Sequence, residues 1–378
     1  SETKLAELKS RLSSEIDEAA STIPTIVADS MDDESIERMV SQAKVILTTV
    51  GPYGLYGSKL VAACARAGVH CCDLTGESLW VKDMIDKHHA EAERTGAKII
   101  SACGFDSIPS DMGTLMMAEH MKRVHGVYPD DVRYFFVKQQ GGISGGTVAS
   151  ILDMCDQVWT GGRAVLKKLN DPLLLVTKPS DGGVTFKKAG SPGGFGYDSQ
   201  KKSWTAKSPF ASHDSKVVYR SGNILGYPEN FRYKEVFGFK GVFKGFFQAV
   251  IVSAALTVGG VLLLLPVTRK LVAKSLPAPG EGPSKEARDT GYFWIDFSAK
   301  AQVDGKDVIC RGKVGSDKGD CGYKETAKML GECGLCLALD EDRLESKAGG
   351  FLTTATAMGM PLIERMRAAG MTFKVLDE

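Results

Sequence analysis

Apolar and polar positions alternate in blocks over the first 140 residues. Val45-Ile-Leu-Thr-Thr-Val50, a run of β-branched and aliphatic residues, predicts a buried parallel strand. Similar runs predict strands at 25–29, 69–74, 97–102 and 132–137. Between them, helical periodicity predicts helices at 2–18, 32–42, 58–67, 80–95 and 110–123. Leu60, Val61, Cys64 and Ala65 share one face of the helix at 58–67, and Asp32 or Asp33 is placed to cap the helix at 32–42. Such alternation implies a parallel sheet covered on both faces, an α/β, Rossmann-like domain over 1–139.

Beyond residue 140 the pattern changes. A helix is expected from Thr147 to about Leu169. Glycine, lysine, serine and proline dominate 171–216, which reads as a surface insertion or mobile lid, with order resuming at Lys216. Tyr292–Ala301 and Val308–Val314 flank Asp304-Gly305 and predict a hairpin. A helix at 322–339 and a strand at 373–376 close a second, α+β domain over 140–378.

Residues 245–268 carry no charge, but Gly259-Gly260 divides them into runs too short to cross about 30 Å of hydrocarbon at ~1.5 Å per residue. Lys240 and Lys244 before, and Arg269, Lys270 and Lys274 after, fit a segment lying at a membrane interface with its cations snorkelling. A buried core helix and a true span are the other readings. Charge narrows the partners: 47 basic against 46 acidic residues give a net +1, which offers no electrostatic case for nucleic acid. Nine cysteines in 378 residues, two of them adjacent at 71 and 72, suggest reduced thiols and an intracellular setting.

Chemistry is concentrated in glycine-bearing turns. Gly51, Gly54 and Gly57 follow the strand at 45–50, and Asp73 lies about twenty residues on, the outline of a dinucleotide fingerprint. Two features oppose it. Pro52 has no amide hydrogen for a pyrophosphate, and the βα unit at 24–42 comes first, so the strand at 45 does not begin the sheet. Asp106, in Gly104-Phe-Asp-Ser-Ile-Pro-Ser-Asp111, follows a strand where open α/β sheets bind ligands. Ser107 to Asp111 also suit an ordinary helix start, which leaves Asp106 the less explained residue. Gly141–Thr147 lacks a P-loop ending; it is either a flexible crossover or a helix N-terminus facing an anionic or carbonyl group of substrate. Two patterns read as structural. His88 and His89 sit mid-helix without a third ligand, and Cys333-Gly-Leu-Cys336 lies mid-helix rather than at a thioredoxin-type helix start.

Val50-Gly-Pro-Tyr-Gly-Leu-Tyr-Gly57, Asp73-Leu-Thr-Gly-Glu77, Ser101–Pro109, Gly145-Gly-Thr147, Phe231-Arg-Tyr233, Gly280–Ser284 and Ala348–Thr354 together resemble the saccharopine dehydrogenase-like oxidoreductases. That family includes a eukaryotic lipid-droplet-associated form and bacterial trans-acting enoyl reductases. The likeness runs from near residue 1 to 376 and is most specific at Cys103–Pro109. It implies NADP(H), with Thr49, Val50, Gly51, Pro52 and Tyr53 at the nicotinamide end and Asp29 near the adenine edge. It also implies Asp73, Gly76, Glu77, Asp106, Ser107 and Thr147 facing a hydrophobic or lipid-linked substrate.

The family's phosphate-binding glycines lie on a first strand with no counterpart in these 378 residues. The expectation is therefore a Rossmann-like sheet lacking its first βαβ portion, with negligible binding of NADP(H) by this stretch alone. A protein intracellular and peripheral to a membrane, lipid droplet or organelle is expected, with room for a protein complex. The alternative is a non-catalytic structural or assembly subunit that kept the fold and lost cofactor binding.

Overall fold

A computed structural model describes residues 1–376 apart from 143, 178–182, 188, 191–192, 279 and 345. Ile143 of the second glycine cluster and parts of the predicted insertion thus lie outside the described residues. The chain begins α1 (Glu2–Glu15), a 3-10 turn at Glu18–Thr22, and α2 (Asp33–Val40), which Asp32 caps through the amide of Ser35. There follow β1 (Val45–Thr48), α3 (Tyr53–Tyr56), α4 (Ser58–Ala67), β2 (His70–Asp73), α5 (Ser78–Thr95), β3 (Lys98–Ile100) and α6 (Ile108–His125). The middle third is β4 (Asp131–Gln140), α7 (Gly145–Leu169), β5 (Gly196–Asp198), β6 (Ser203–Lys207), α8 (Ala211–Leu225) and β7 (Arg232–Lys240). Then come α9 (Val242–Leu264), α10 (Pro266–Ala273), α11 (Lys285–Asp289), β8 (Tyr292–Val303) and β9 (Lys306–Ser316). The chain closes with α12 (Lys324–Leu339), β10 (Gly350–Leu352), α13 (Thr354–Met358), α14 (Met360–Ala368) and β11 (Thr372–Val375).

Two sheets form. The first is parallel, in the order β1-β2-β3-β10. Strand alternation shows that both faces are covered. Cys71, Ile99 and Phe351 pack with α2, α4 and α5 residues such as Ile36, Val61 and Met84, while Cys72, Ile100 and Leu352 join the larger core with Met329, Cys333 and Ala355 of α12 and α13. The second sheet runs β11-β9-β8-β4-β7-β6-β5, antiparallel except between β4 and β7. Its β8–β9 hairpin turns at Asp304-Gly305 with φ of 49° and 74°, as the predicted turn requires. Helix α6 packs so closely on β8 that a β-carbon on Gly113 would stand 2.3 Å from the Phe297 ring.

Several expectations change. Residues 25–29 are not a strand; they run as coil into a turn at Asp29–Asp32, with no ladder partner among the described residues. The strand expected at 132–137 belongs to the second sheet, and the fourth parallel strand is β10, from the far end of the chain. Periodicity marks a strand but does not name its neighbour. The 171–216 segment contributes β5, β6 and the start of α8, a helix whose His213, Asp214, Lys216 and Arg220 are all buried, so that part is no surface lid. Gly259-Gly260 does not interrupt α9. The helix is continuous for 23 residues, and only 6% of its apolar window is buried, which excludes the core-helix reading.

Two buried polar joints fix one sheet to the other. Asp111 at the start of α6 accepts from Ser221 Oγ (2.5 Å), Thr354 Oγ1 (2.7 Å) and the amide of Ala355 (2.9 Å). Arg220 donates to the carbonyls of Leu175 (2.6 Å) and Phe351. A buried guanidinium is tolerated when such acceptors replace water.

Candidate active site

The loops leaving the carboxyl ends of β1, β2 and β3 converge, as the topology of an open parallel sheet requires. Tyr53 is the pivot. Its hydroxyl donates to the carbonyl of Thr48 (3.1 Å) and accepts from the amide of Leu74 (3.2 Å), tying the first loop to the second. Burial, reinforced by Asp73 and Glu77, pushes that phenol far above its ordinary range, so it stays a neutral strut. Glu77 closes the arrangement. One carboxylate oxygen accepts from the amide of Tyr53 (3.0 Å) and from Ser150 Oγ on α7 (2.9 Å), and the other accepts from the amide of Gly54 (2.8 Å). Helix α7 enters at Ser144, whose hydroxyl caps the amide of Thr147 (2.9 Å).

Asp73 points inward. Its oxygens accept from the amide of Thr75 (2.9 Å), Ser101 Oγ (2.8 Å) and the amide of Ala102 (3.1 Å), and desolvation still pushes its carboxyl up to about 6. Thr49, Val50 and Gly51 are exposed at the open rim, with Val50 53% accessible. Asp29 is exposed in the neighbouring turn, which Lys59 holds against the start of α4 through the carbonyl of Met31 (2.9 Å). Gly76 lies beside Asp106, where a β-carbon would meet Asp106 Oδ2 at 3.5 Å. The predicted residues of 49–53, 73–77, 106–107 and 147 therefore gather at one end of the sheet, with Asp29 at its edge.

The floor is aromatic. Phe105 packs on Phe293 (5.0 Å between centroids), Phe136 (5.7 Å) and Phe210 (5.8 Å). Behind it lie groups that sequence reasoning missed. Asp214 Oδ1 accepts from Ser107 Oγ (3.2 Å), and Glu235 accepts from Ser208 Oγ (2.6 Å) and the Tyr233 hydroxyl (3.1 Å). His213 Nδ1 lies 2.8 Å from Ser78 Oγ. Only Glu235 left a readable trace: Tyr233, Glu235 and Phe237 share a strand face, and an acid in an apolar row signals a buried carboxyl.

These residues can be tested against a nicotinamide dinucleotide. A pyrophosphate does not fit the 51–57 turn, because Glu77 already occupies the amides of Tyr53 and Gly54 and its charge would repel phosphate. The uncharged rim of Thr49, Val50 and Gly51 fits a nicotinamide ring. Among the described residues there is no group of three or more His, Cys, Asp or Glu that could hold a metal. Cys333 and Cys336 are buried within α12, and burial raises both thiols.

No family model matches the chain. A Mycobacterium tuberculosis protein provisionally named a trans-acting enoyl reductase is 36% identical over 378 residues, covering 94% of this chain and 86% of its own. The trans-acting enoyl reductases of Mycobacterium ulcerans and Mycobacterium leprae are each 34% identical, covering 93% and 92% of this chain and 85% and 84% of theirs. Among solved structures, apo saccharopine dehydrogenase (L-Glu forming) from Saccharomyces cerevisiae is 8% identical with a TM-score of 0.47, covering 92% of this chain and 88% of that one. With over a third of its residues shared across nearly its whole length, the chain belongs to the trans-acting enoyl reductases.

Proposed function

We propose that the protein reduces the carbon–carbon double bond of a hydrophobic, lipid-linked acyl group, using hydride from NADPH. The observation that carries this is that the loops after β1 and β3, at the carboxyl ends of the parallel strands, hold an exposed uncharged rim, Thr49–Gly51, and Phe105, which packs into an aromatic cluster with Phe136, Phe210 and Phe293. The relatives' names supply the reaction class.

In this reading Thr49, Val50 and Gly51 receive the nicotinamide ring, whose chemistry when bound is hydride donation. Tyr53 and Glu77 hold the rim rigid through the contacts above. Gly76, with no side chain, leaves space beside Asp106 for an acyl chain, and Phe105 and Phe293 exclude water from it. Asp73 fixes the second and third loops, and Ser150 and Thr147 bring α7 over the opening.

The lipid supply favours a membrane surface. Helix α9 exposes Phe243 (81%), Phe247 and Ile251, while α10 turns back and Arg269 pairs with Asp156 of α7 at 2.5 Å. Both ends of α9 stay with the body, so it suits lying in a lipid interface rather than crossing it.

Steady-state NADPH oxidation with crotonyl-CoA and trans-2-hexadecenoyl-CoA tests the proposal. Each buried methylene is worth about 0.8 kcal/mol, so kcat/KM should rise steeply with chain length. Equal values would refute the hydrophobic site. No oxidation of NADPH with either would favour the non-catalytic subunit.

A further inference from the structure

The buried acids of this protein fall into two kinds. Asp73 and Asp111 each accept three hydrogen bonds, as carboxylates with a structural task do. Asp106 accepts none from any described residue, though it is half-buried against Gly76 and next to the Phe105 ring cluster. Desolvation alone pushes its carboxyl up to about 6. An acid left without donors beside an apolar core destabilises the fold where it stands, which is a mark of function.

Its acidic neighbours feel its charge. Asp214 and Glu235 are 1% and 0% exposed and hydrogen-bond to each other. Two touching carboxylates cut off from water cannot both ionise, so the pair holds a proton near neutrality. Burial, opposed by the Ser208 and Tyr233 hydroxyls, places Glu235 at about 7, and the charge of Asp106 raises both partners. Ser107, the residue after Asp106, bridges to Asp214 Oδ1 at 3.2 Å. A second feature points to a ligand. His213, 9% exposed and anchored to Ser78 through Nδ1, has a buried Nε2 with no hydrogen-bond partner. Ser78 opens α5 directly after the Gly76–Glu77 loop, so His213 is anchored to the loop that borders Asp106.

Resting on the reductase reading, we propose that Asp106 is the proton donor of the reduction. Hydride from a nicotinamide cofactor adds to the far carbon of the double bond, and the displaced π electrons move onto the carbonyl as an enolate. The Asp106 O–H bond then breaks as a C–H bond forms at the carbon beside the carbonyl. Asp106 is left as a carboxylate and, being only half-buried, takes back one proton from solvent. Such a donor needs a value near the working pH, which its apolar setting provides.

The test compares the full-length protein with Asp106→Asn and Glu235→Gln. In infrared titration of the free protein, the wild type should show a carboxylic-acid band that is absent in Asp106→Asn, and added decanoyl-CoA, a saturated non-reacting probe, should shift it. In NADPH-dependent reduction of trans-2-decenoyl-CoA, Asp106→Asn should lower kcat by about 100-fold or more with KM little changed. The wild-type rate should fall as pH rises through the Asp106 range, a limb the variant loses and Glu235→Gln displaces. A band indifferent to decanoyl-CoA overturns the proposal, as does an Asp106→Asn enzyme with wild-type rate and pH profile. Absence of reduction by the wild type with the band shift present would instead refute the reductase reading and the donor role together, leaving Asp106 only as a ligand contact.

Discussion

Asp106 and Glu77 show how differently two acids of one crevice are held. The folded value of Asp106, about 6, stands above an ordinary aspartate near ~3.9. Between those values the native state keeps a proton that the unfolded chain has released, so this residue's contribution to stability declines as pH rises from 4 to 6. Asp106→Asn should therefore be more stable than the wild type above about pH 6, with the difference vanishing near pH 4, as read by thermal unfolding across pH. His213, pushed down to about 3 by burial and Lys216, acts in the opposite direction, since it is neutral when folded and protonates below ~6.5 only when unfolded. The difference between variant and wild type isolates Asp106 from it. Glu77→Ala strips the amides of Tyr53 and Gly54 of their acceptor and should cost about 1–3 kcal/mol in urea unfolding. Glu77→Gln, which keeps one acceptor oxygen, should cost less. The sequence placed both acids near the site, because Asp106 had no reason to follow Phe105 and Glu77 lay in a resembling motif. It hid their partners, because Ser150, Asp214 and Glu235 come from segments far along the chain.

At the scale of the element, local pattern reads well and partnership does not. Helix α4 falls at 58–67 as its apolar face predicts, and the hairpin turns at Asp304-Gly305. Strand β4 was equally legible as a strand, but its pairing with β7 and β8 follows from three aromatic and aliphatic positions, Val132, Tyr134 and Phe136, that only the second sheet's core accommodates. The three-residue β10 gives too short a signal to reveal that it completes the parallel sheet. Helix α9 is the instructive case. Two adjacent glycines cost about 1 kcal/mol each relative to alanine, too little to break a 23-residue, mostly apolar helix. Replacing Val261, Leu262 and Leu265 by serine should abolish flotation with phosphatidylcholine–phosphatidylserine vesicles while leaving unfolding almost unchanged, since these side chains are exposed in the fold. Binding that disappears in moderate salt with the apolar residues intact would assign attachment to Lys240, Lys244 and Lys270 instead.

Over the whole molecule, two sheets are locked by Asp111 and Arg220, and the crevice forms where their loops face each other. Replacing Asp111 by alanine leaves the Thr354 hydroxyl and the amide of Ala355 without their acceptor and should lower stability by about 3 kcal/mol, with loss of the joint rather than of either sheet. Fold class and the cluster of loops followed from alternating strands and helices; the deep acidic wall did not, because it exists only once the second sheet closes over the first. The most direct measurement of the account is label transfer. Full-length protein is incubated with trans-2-decenoyl-CoA and NADPH carrying deuterium at both positions of nicotinamide C4, and the decanoyl product is read by mass spectrometry. The account predicts one deuterium on the carbon remote from the carbonyl, and a second beside the carbonyl when the solvent is D2O. Unlabelled decanoyl-CoA, or recovery of the enoyl thioester unchanged, would contradict it.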